Sequence, residues 1–201
     1  MNNKCITNML ENISKYKILL ASNSPRRQQL LTELGLKFDV VAKPGIDESY
    51  PEMKAKYVPE YLAIKKAGAY SDLLQDGTSL LITADTVVVH DRRILGKPHD
   101  AKEARDMLQR LQGQTHRVLT GVAITTRDKQ VSFTVKTKVT MHSLTHDVID
   151  HYVENYKPFD KAGAYGIQEW IGLVAIDHIE GSYNNVMGLP TQRLFCELQN
   201  F

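Results

Sequence analysis

The chain has 201 residues, 42% hydrophobic and 24% charged, with a formal net charge of +2. That length and composition suit one globular domain with a substantial core and exclude a disordered chain. So small a net charge argues against a protein whose main partner is a nucleic-acid backbone or an anionic membrane.

Residues Met1 to Tyr16 carry scattered charges and no continuous apolar run, so they form neither a signal peptide nor a membrane span. Ile6, Met9, Leu10 and Ile13 have helical spacing, which leaves a short docking helix and a disordered leader both open. The strand Ile18 to Leu20 then runs into Ala21-Ser22-Asn23-Ser24-Pro25-Arg26-Arg27. Ser24 suits an N-cap and Pro25 the first helical position, with the helix stopping at Gly35. Two guanidinium groups in a first turn oppose the helix dipole. They make sense where a phosphate or carboxylate sits at that N-terminus.

Phe38 to Ala42 reads as a short strand, followed by the turn-rich Lys43 to Glu48, where acidic residues such as Asp47 and Glu48 are usually just solvated. A helix is predicted from about Val58 to Leu74, with Val58, Leu62, Ala69 and Leu73 on one face. Lys66 falls near that face and Lys65 flanks its other side, so periodicity does not choose between them. Leu80 to Val89 has the pattern of a central strand buried on both faces. Asp85 lies inside it, where a carboxylate is excluded unless it is paired, metal-bound or functional. A dry site would raise its pKa and a neighbouring cation would lower it; either makes it a candidate base or ligand.

Asp91-Arg92 turns this strand back into Ile94-Leu95, and Lys97 sits in the constrained turn Gly96-Lys97-Pro98. Asp100 to Glu103 resembles a capping box and starts a helix carrying Ala104, Met107, Leu108 and Leu111, ended by Gly113. Thr115 to Thr126 and Gln130 to His142 read as strands, the second with Val131, Phe133, Val135, Val139 and Met141 inward and Lys136 and Lys138 outward. Thr145 is expected to cap a helix with Val148, Ile149, Tyr152, Val153 and Tyr156 inward. The segment Asp160 to Gln168 is rich in small residues that permit close backbone approach to a ligand, but it lacks the spacing of a dinucleotide fingerprint. A strand near Leu173 to Ile179 and a short helix near Gln192 to Leu198 complete an α/β fold with a mixed sheet. Seven histidines are scattered, and His142 and His146 straddle a helix start, a poor arrangement for zinc. Cys5 and Cys196 have neither metal nor redox spacing and read as reduced thiols in the cytosol.

Several motifs in order resemble the Maf proteins, nucleoside triphosphate pyrophosphatases related in fold to the inosine triphosphate pyrophosphatases. They are Ala21 to Arg27, Ala63-Ile64-Lys65-Lys66-Ala67, Ala84-Asp85-Thr86, Leu95-Gly96-Lys97-Pro98, Asp160 to Gln168 and Gly188-Leu189-Pro190. The resemblance implies one domain over residues 17–201 after a leader of residues 1–16, with a mixed, twisted central β-sheet flanked by helices. It implies cleavage between the α- and β-phosphates, giving a monophosphate and pyrophosphate, with a divalent cation, Mg2+ or Mn2+. Asp85 is then the base that activates water, Ser22, Arg27, Lys66 and Lys97 contact phosphate, and Glu48 and Asp85 bind metal. Lys66 is chosen over Lys65 by the family pattern alone. Arg26, Thr86 and Gln168 stand where the family distinguishes bases and resemble the dTTP- and UTP-hydrolysing subfamily. A cytoplasmic homodimer is implied, with no nucleic-acid or membrane partner.

Phosphoryl chemistry demands positioning and charge neutralisation, which fits cations gathered from separate elements. Magnesium takes few carboxylates plus substrate oxygens. Two other readings stay open: a pyrophosphatase for a modified purine nucleotide, and a nucleotide-sensing regulator of cell division. A pure sensor has no need of a buried base.

Overall fold

The computed structural model describes residues 9–201; Cys5 and Ile6 of the leader lie outside the described residues. The chain is α/β, with a mixed seven-stranded sheet in the order β2-β1-β3-β5-β6-β7 and β4 paired to β3. The strands are β1 (Lys17–Leu20), β2 (Asp39–Val40), β3 (Ser79–His90), β4 (Arg93–Leu95), β5 (Thr115–Thr125), β6 (Gln130–Met141) and β7 (Ile176–Glu180). Contacts divide the chain into two compact units. Of the described residues, the first holds those up to Asp85, Thr120–Val135 and Gly188–Phe201; the second holds Thr86–Leu119 and Lys136–Met187.

In the first unit β1 pairs in parallel with β2 and with β3, placing Leu19 beside Leu81 and Leu20 beside Ile82. Helix α1 (Pro25–Glu33) begins as the sequence predicts, with Ser24 as N-cap. Strand β2 is shorter than expected, two exposed residues at the sheet edge, because Lys43-Pro44-Gly45 turns the chain away. Helix α2 (Val58–Gly68) is also shorter than expected, and a separate 3-10 turn spans Ser71–Leu74. Gly68 is a weak helix former, and the break re-phases the apolar face. Ala69 is exposed, while Ala67, Tyr70 and Leu74 join Leu19, Ala21 and Leu81 in a core cluster against which Leu73 packs. Residues of the leader make a 3-10 turn at Glu11–Ile13 with Leu10 and Ile13 buried, and the Asn12 amide donates to the Leu198 carbonyl at 2.8 Å in α7 (Thr191–Gln199).

One close approach governs this unit. A Cβ built on Gly121 of β5 meets the backbone of Pro59 and Glu60 at 2.2 Å. The glycine therefore lets the first turn of α2 lie directly on β5, and the Glu60 carboxylate accepts from Ser132 at 2.8 Å and Thr134 at 3.0 Å on β6.

In the second unit, β3 turns into β4 through Asp91 and Arg92, both with positive φ (46° and 64°), as a tight hairpin requires. Helix α3 (Ala101–Leu111) is capped by Asp100, whose Oδ1 accepts from Glu103 N at 2.8 Å. Helix α4 (His146–Tyr156) follows Thr145, whose side chain makes no capping bond. Tyr156, expected inward, is exposed and stacks on Trp170. The strand expected from Leu173 begins only at Ile176, because Trp170–Ala175 is helix α5. Ile171 and Ala175 are buried at i,i+4 spacing while Leu173 is 84% exposed, a helical period masked by an all-apolar run. A Cβ on Gly172 would stand 1.8 Å from the Ile167 carbonyl oxygen, so only glycine permits that turn. Helix α6 (Tyr183–Met187), which periodicity does not announce, is anchored by Asn185, donating to Val118 O at 3.1 Å and Thr137 Oγ1 at 3.0 Å.

His116 on β5 is buried, its Nε2 2.7 Å from the Tyr165 hydroxyl and the two rings edge to face. Burial, with a smaller push from His90, lowers its pKa from 6.5 to about 4.

Two outcomes follow for stability. Gly121→Ala is expected to destabilise by roughly 1–3 kcal/mol through overpacking, read as a lower urea midpoint. For His116, the unfolded chain binds more protons than the folded one between pH 6.5 and about 4. The melting temperature should therefore fall as pH drops through that window, and His116→Gln should remove that component.

Candidate active site

The first unit gathers six of the residues picked out from the sequence. Strand β1 delivers the chain into the Ala21–Ser24 turn, where Ser22 is buried. Ser22 Oγ accepts from Ser24 N at 3.2 Å and from Arg27 Nη1 at 3.4 Å, and Ser24 Oγ accepts from Arg27 N at 3.5 Å. Arg27 also donates through Nε to the Gly188 carbonyl at 2.8 Å, which sets the plane of its guanidinium. Arg26, half-buried beside it, adds a second positive charge at the same helix start.

Burial pushes the Arg27 pKa down, as does Arg26, while the carboxylates of Asp85 and Glu48 push it up. Arg27 thus feels both acidic groups. A desolvated guanidinium at a helix N-terminus is poised to accept an anion that water no longer screens.

Asp85 sits on β3 at 9% exposure, and its Oδ1 accepts from Lys66 Nζ at 2.6 Å. The same ammonium lies 2.9 Å from Glu48 Oε1. Two residues before Asp85, and so on the same face of the strand, Thr83 donates to the Ala63 carbonyl at 2.7 Å. That bond ties α2 to β3 and fixes the register in which Lys66 meets Asp85. Lys65 and Lys66 both lie in the last turn of α2, where the helix dipole favours cations.

The loop carrying Glu48 is held in a way the sequence did not announce. Lys65 Nζ donates to Asp47 Oδ2 at 2.7 Å and to the Ser49 carbonyl at 2.7 Å. Asp47 accepts in turn from Ser49 N and Ser49 Oγ, both at 2.8 Å. These bonds, that from Lys65 foremost, hold the Asp47 carboxyl well below the usual carboxylate range. Neither Asp47 nor Glu48 is merely solvated, correcting the expectation for that loop. Consecutive lysines grip consecutive acids, and the doublets Asp47-Glu48 and Lys65-Lys66 were the available signal.

Among the described residues no group of three or more His, Cys, Asp or Glu is arranged to hold a metal ion. Glu48 and Asp85 do fit a hard divalent cation of another kind. Two carboxylates converge on one ammonium, and an ion that takes few protein oxygens could complete its shell with substrate oxygens and water.

The second unit holds Thr86, Lys97 and Gln168. Thr86 is half-buried on β3; Lys97 and Gln168 are exposed. The turns bearing the last two are linked, since Gly163 N donates to the Gly96 carbonyl at 3.0 Å.

Comparison with known proteins gives a consistent result. The family described as Maf-like protein matches residues 17–201. A dTTP/UTP pyrophosphatase of Phocaeicola vulgatus is 54% identical over 192 residues, covering 95% of this chain and 99% of that protein. The dTTP/UTP pyrophosphatase of Porphyromonas gingivalis is 52% identical over 196 residues, covering 96% and 98%. That of Bacteroides fragilis strain YCH46 is 49% identical over 192 residues, covering 95% and 99%.

Proposed function

This chain belongs to the Maf-like protein family, and we propose that it hydrolyses dTTP and UTP to the monophosphate and pyrophosphate. The observation that carries the reading is the Lys66 ammonium bridging Asp85 and Glu48, in the same unit as the Arg27–Ser22 helix start. Its relatives named dTTP/UTP pyrophosphatase match across nearly the whole chain, the region that includes every one of these residues.

In this mechanism the triphosphate meets Ser22, Arg27, Lys66 and Lys97; the Ser22 hydroxyl and the three cations replace its lost hydration. Asp85 accepts a proton from water as the water oxygen bonds to the α-phosphorus. The bond from that phosphorus to the α–β bridging oxygen breaks, and the electron pair leaves with pyrophosphate. Lys66 holds Asp85 in orientation before substrate arrives and turns toward phosphate oxygens as charge builds there. Glu48 and Asp85 would hold a divalent cation, Mg2+ or Mn2+, which supplies charge neutralisation at the phosphates.

Arg26, Thr86 and Gln168 read the base. Hydrogen-bonding groups matched to a pyrimidine edge penalise a purine by size and by leaving polar groups unpaired. The family resemblance supports a homodimer and the cytoplasm, where nucleoside triphosphates are made and used, as the working state. Among the described residues no helix is long and apolar enough to cross a membrane.

A nucleotide panel with magnesium or manganese, measuring pyrophosphate, tests the proposal. dTTP and UTP should lead, and Asp85→Asn should lose at least about a hundredfold in kcat, the usual size of a general-base contribution. Release of orthophosphate in place of pyrophosphate would overturn the bond assignment. Equal turnover of GTP would remove the roles given to Arg26, Thr86 and Gln168.

A further inference from the structure

The second unit contains an ionic cluster around a buried lysine that the proposed mechanism does not use. Lys161 is 7% exposed, and its Nζ lies 2.6 Å from Asp160 Oδ1 and 3.0 Å from Glu169 Oε1. The other oxygen of Glu169 accepts from the hydroxyl of Tyr152, a buried residue of α4. That hydroxyl in turn accepts from Gly166 N at 3.0 Å. Burial foremost, then the bond to Glu169, pushes the Tyr152 pKa far above its ordinary value, so the phenol stays a donor to the carboxylate. The chain of bonds therefore has one polarity: amide to phenol, phenol to carboxylate, ammonium to the same carboxylate.

The backbone between these anchors is unusual. Gly163 and Ala164 have φ of 69° and 59°, the second costly for a residue with a side chain. A Cβ on Gly166 would come within 2.9 Å of Glu169 Cδ and 3.0 Å of Lys161 Cε, so the glycine lets the cluster close. Glu169 N also donates to the Gly166 carbonyl at 3.0 Å. Gln168 is the exposed residue inside this closed turn, flanked by anchors on both sides. The same loop donates from Gly163 N to the carbonyl of Gly96, the residue before Lys97.

We infer that the Lys161–Glu169–Tyr152 cluster is a specificity-positioning clasp: it holds the Gln168 turn in the one conformation that reads the nucleobase. This rests on the reading above, in which Gln168 contacts the base. Burying an ammonium and a carboxylate stabilises a fold poorly, and an apolar replacement often does as well. What such a cluster gives is a single geometry, because every donor and acceptor in it has one partner arrangement. A strained loop whose exposed residue must be placed to within a fraction of an ångström is where that geometry matters. Tyr152, Lys161 and Glu169 are positioning residues; none of them needs to touch substrate.

The test uses the full-length enzyme with Tyr152→Phe, Glu169→Gln and Gln168→Ala. The readout is kcat and KM for dTTP, UTP, dGTP and dATP, with urea midpoints measured alongside. Tyr152→Phe deletes one oxygen and keeps the ring, so it provides a folded variant even where Glu169→Gln unfolds. The expected result is a loss of about tenfold in the kcat/KM preference for dTTP over dGTP, the worth of one misplaced hydrogen bond. It should be carried by a higher KM for dTTP, with kcat held within about threefold, and Gln168→Ala should show the same loss of preference. Unchanged preference in a folded Tyr152→Phe, or equal losses for all four nucleotides, overturns the clasp. If Gln168→Ala alone loses preference, the clasp fails and the base-reading role stands. If Gln168→Ala keeps it, that role fails and the clasp falls with it.

Discussion

The candidate site depends on one ammonium placed between two carboxylates. Asp85 occupies a strand whose neighbours Ile82, Thr83, Ala84, Val87 and Val88 are all buried. A carboxylate left unpaired there would cost several kcal/mol in desolvation. Lys66 removes that penalty at 2.6 Å, and it does so from the last turn of a helix, where the dipole already favours a cation. The Thr83–Ala63 bond fixes how α2 meets β3, and Gly121 lets α2 approach β5. Much of the first unit can thus be understood as the framework that keeps Nζ of Lys66 within reach of Asp85 and Glu48.

The charge pattern around that ammonium suits the polyphosphate that the proposed function requires. Arg27 feels Asp85 and Glu48, with Arg26 beside it; Lys66 bridges the same two carboxylates, and Lys65 and Asp47 satisfy one another. Lys66 and Asp85, the two most enclosed groups, neutralise one another, which is how they tolerate low dielectric. In the proposed function Glu48 and Asp85 would hold a divalent cation, which would supply positive charge at the phosphates, and Lys66 and Arg27 lie close enough to the same carboxylates to meet phosphate oxygens there.

Asp85 was legible in the sequence because a lone carboxylate in a β-branched run violates the pattern of a doubly buried strand. The Ser24–Pro25 helix start and the Asp100 cap were legible because capping is local. The choice between Lys65 and Lys66 was not, since both flank the same face and only tertiary contact with β3 separates them. Asp47 and Glu48 looked solvated because the lysines that hold them, Lys65 and Lys66, come from a helix distant in sequence. Helix α5 was hidden inside Leu173-Val174-Ala175, where an unbroken apolar run erases the difference between periods of 2 and 3.6. The division into two units was invisible for a related reason. β3, β5 and β6 each contribute residues to both, so no composition shift or linker marks the boundary.

The two units use the same device to different ends. In each, a lysine is held between two carboxylates: Lys66 by Asp85 and Glu48, Lys161 by Asp160 and Glu169. The difference is what surrounds the second acid. Glu48 stands on an exposed loop with its side chain 53% accessible, so its hold on Lys66 can be traded for another ligand at small cost. Glu169 is 21% accessible and takes a second bond from Tyr152, whose hydroxyl is itself tied to Gly166. Exchanging any member of that set leaves another buried group unsatisfied, which makes the arrangement rigid. A cluster that can swap partners suits chemistry in which charge moves; one that cannot suits holding a shape. On the proposed reading, the surroundings of their carboxylates suit Lys66 to turnover and Lys161 to recognition.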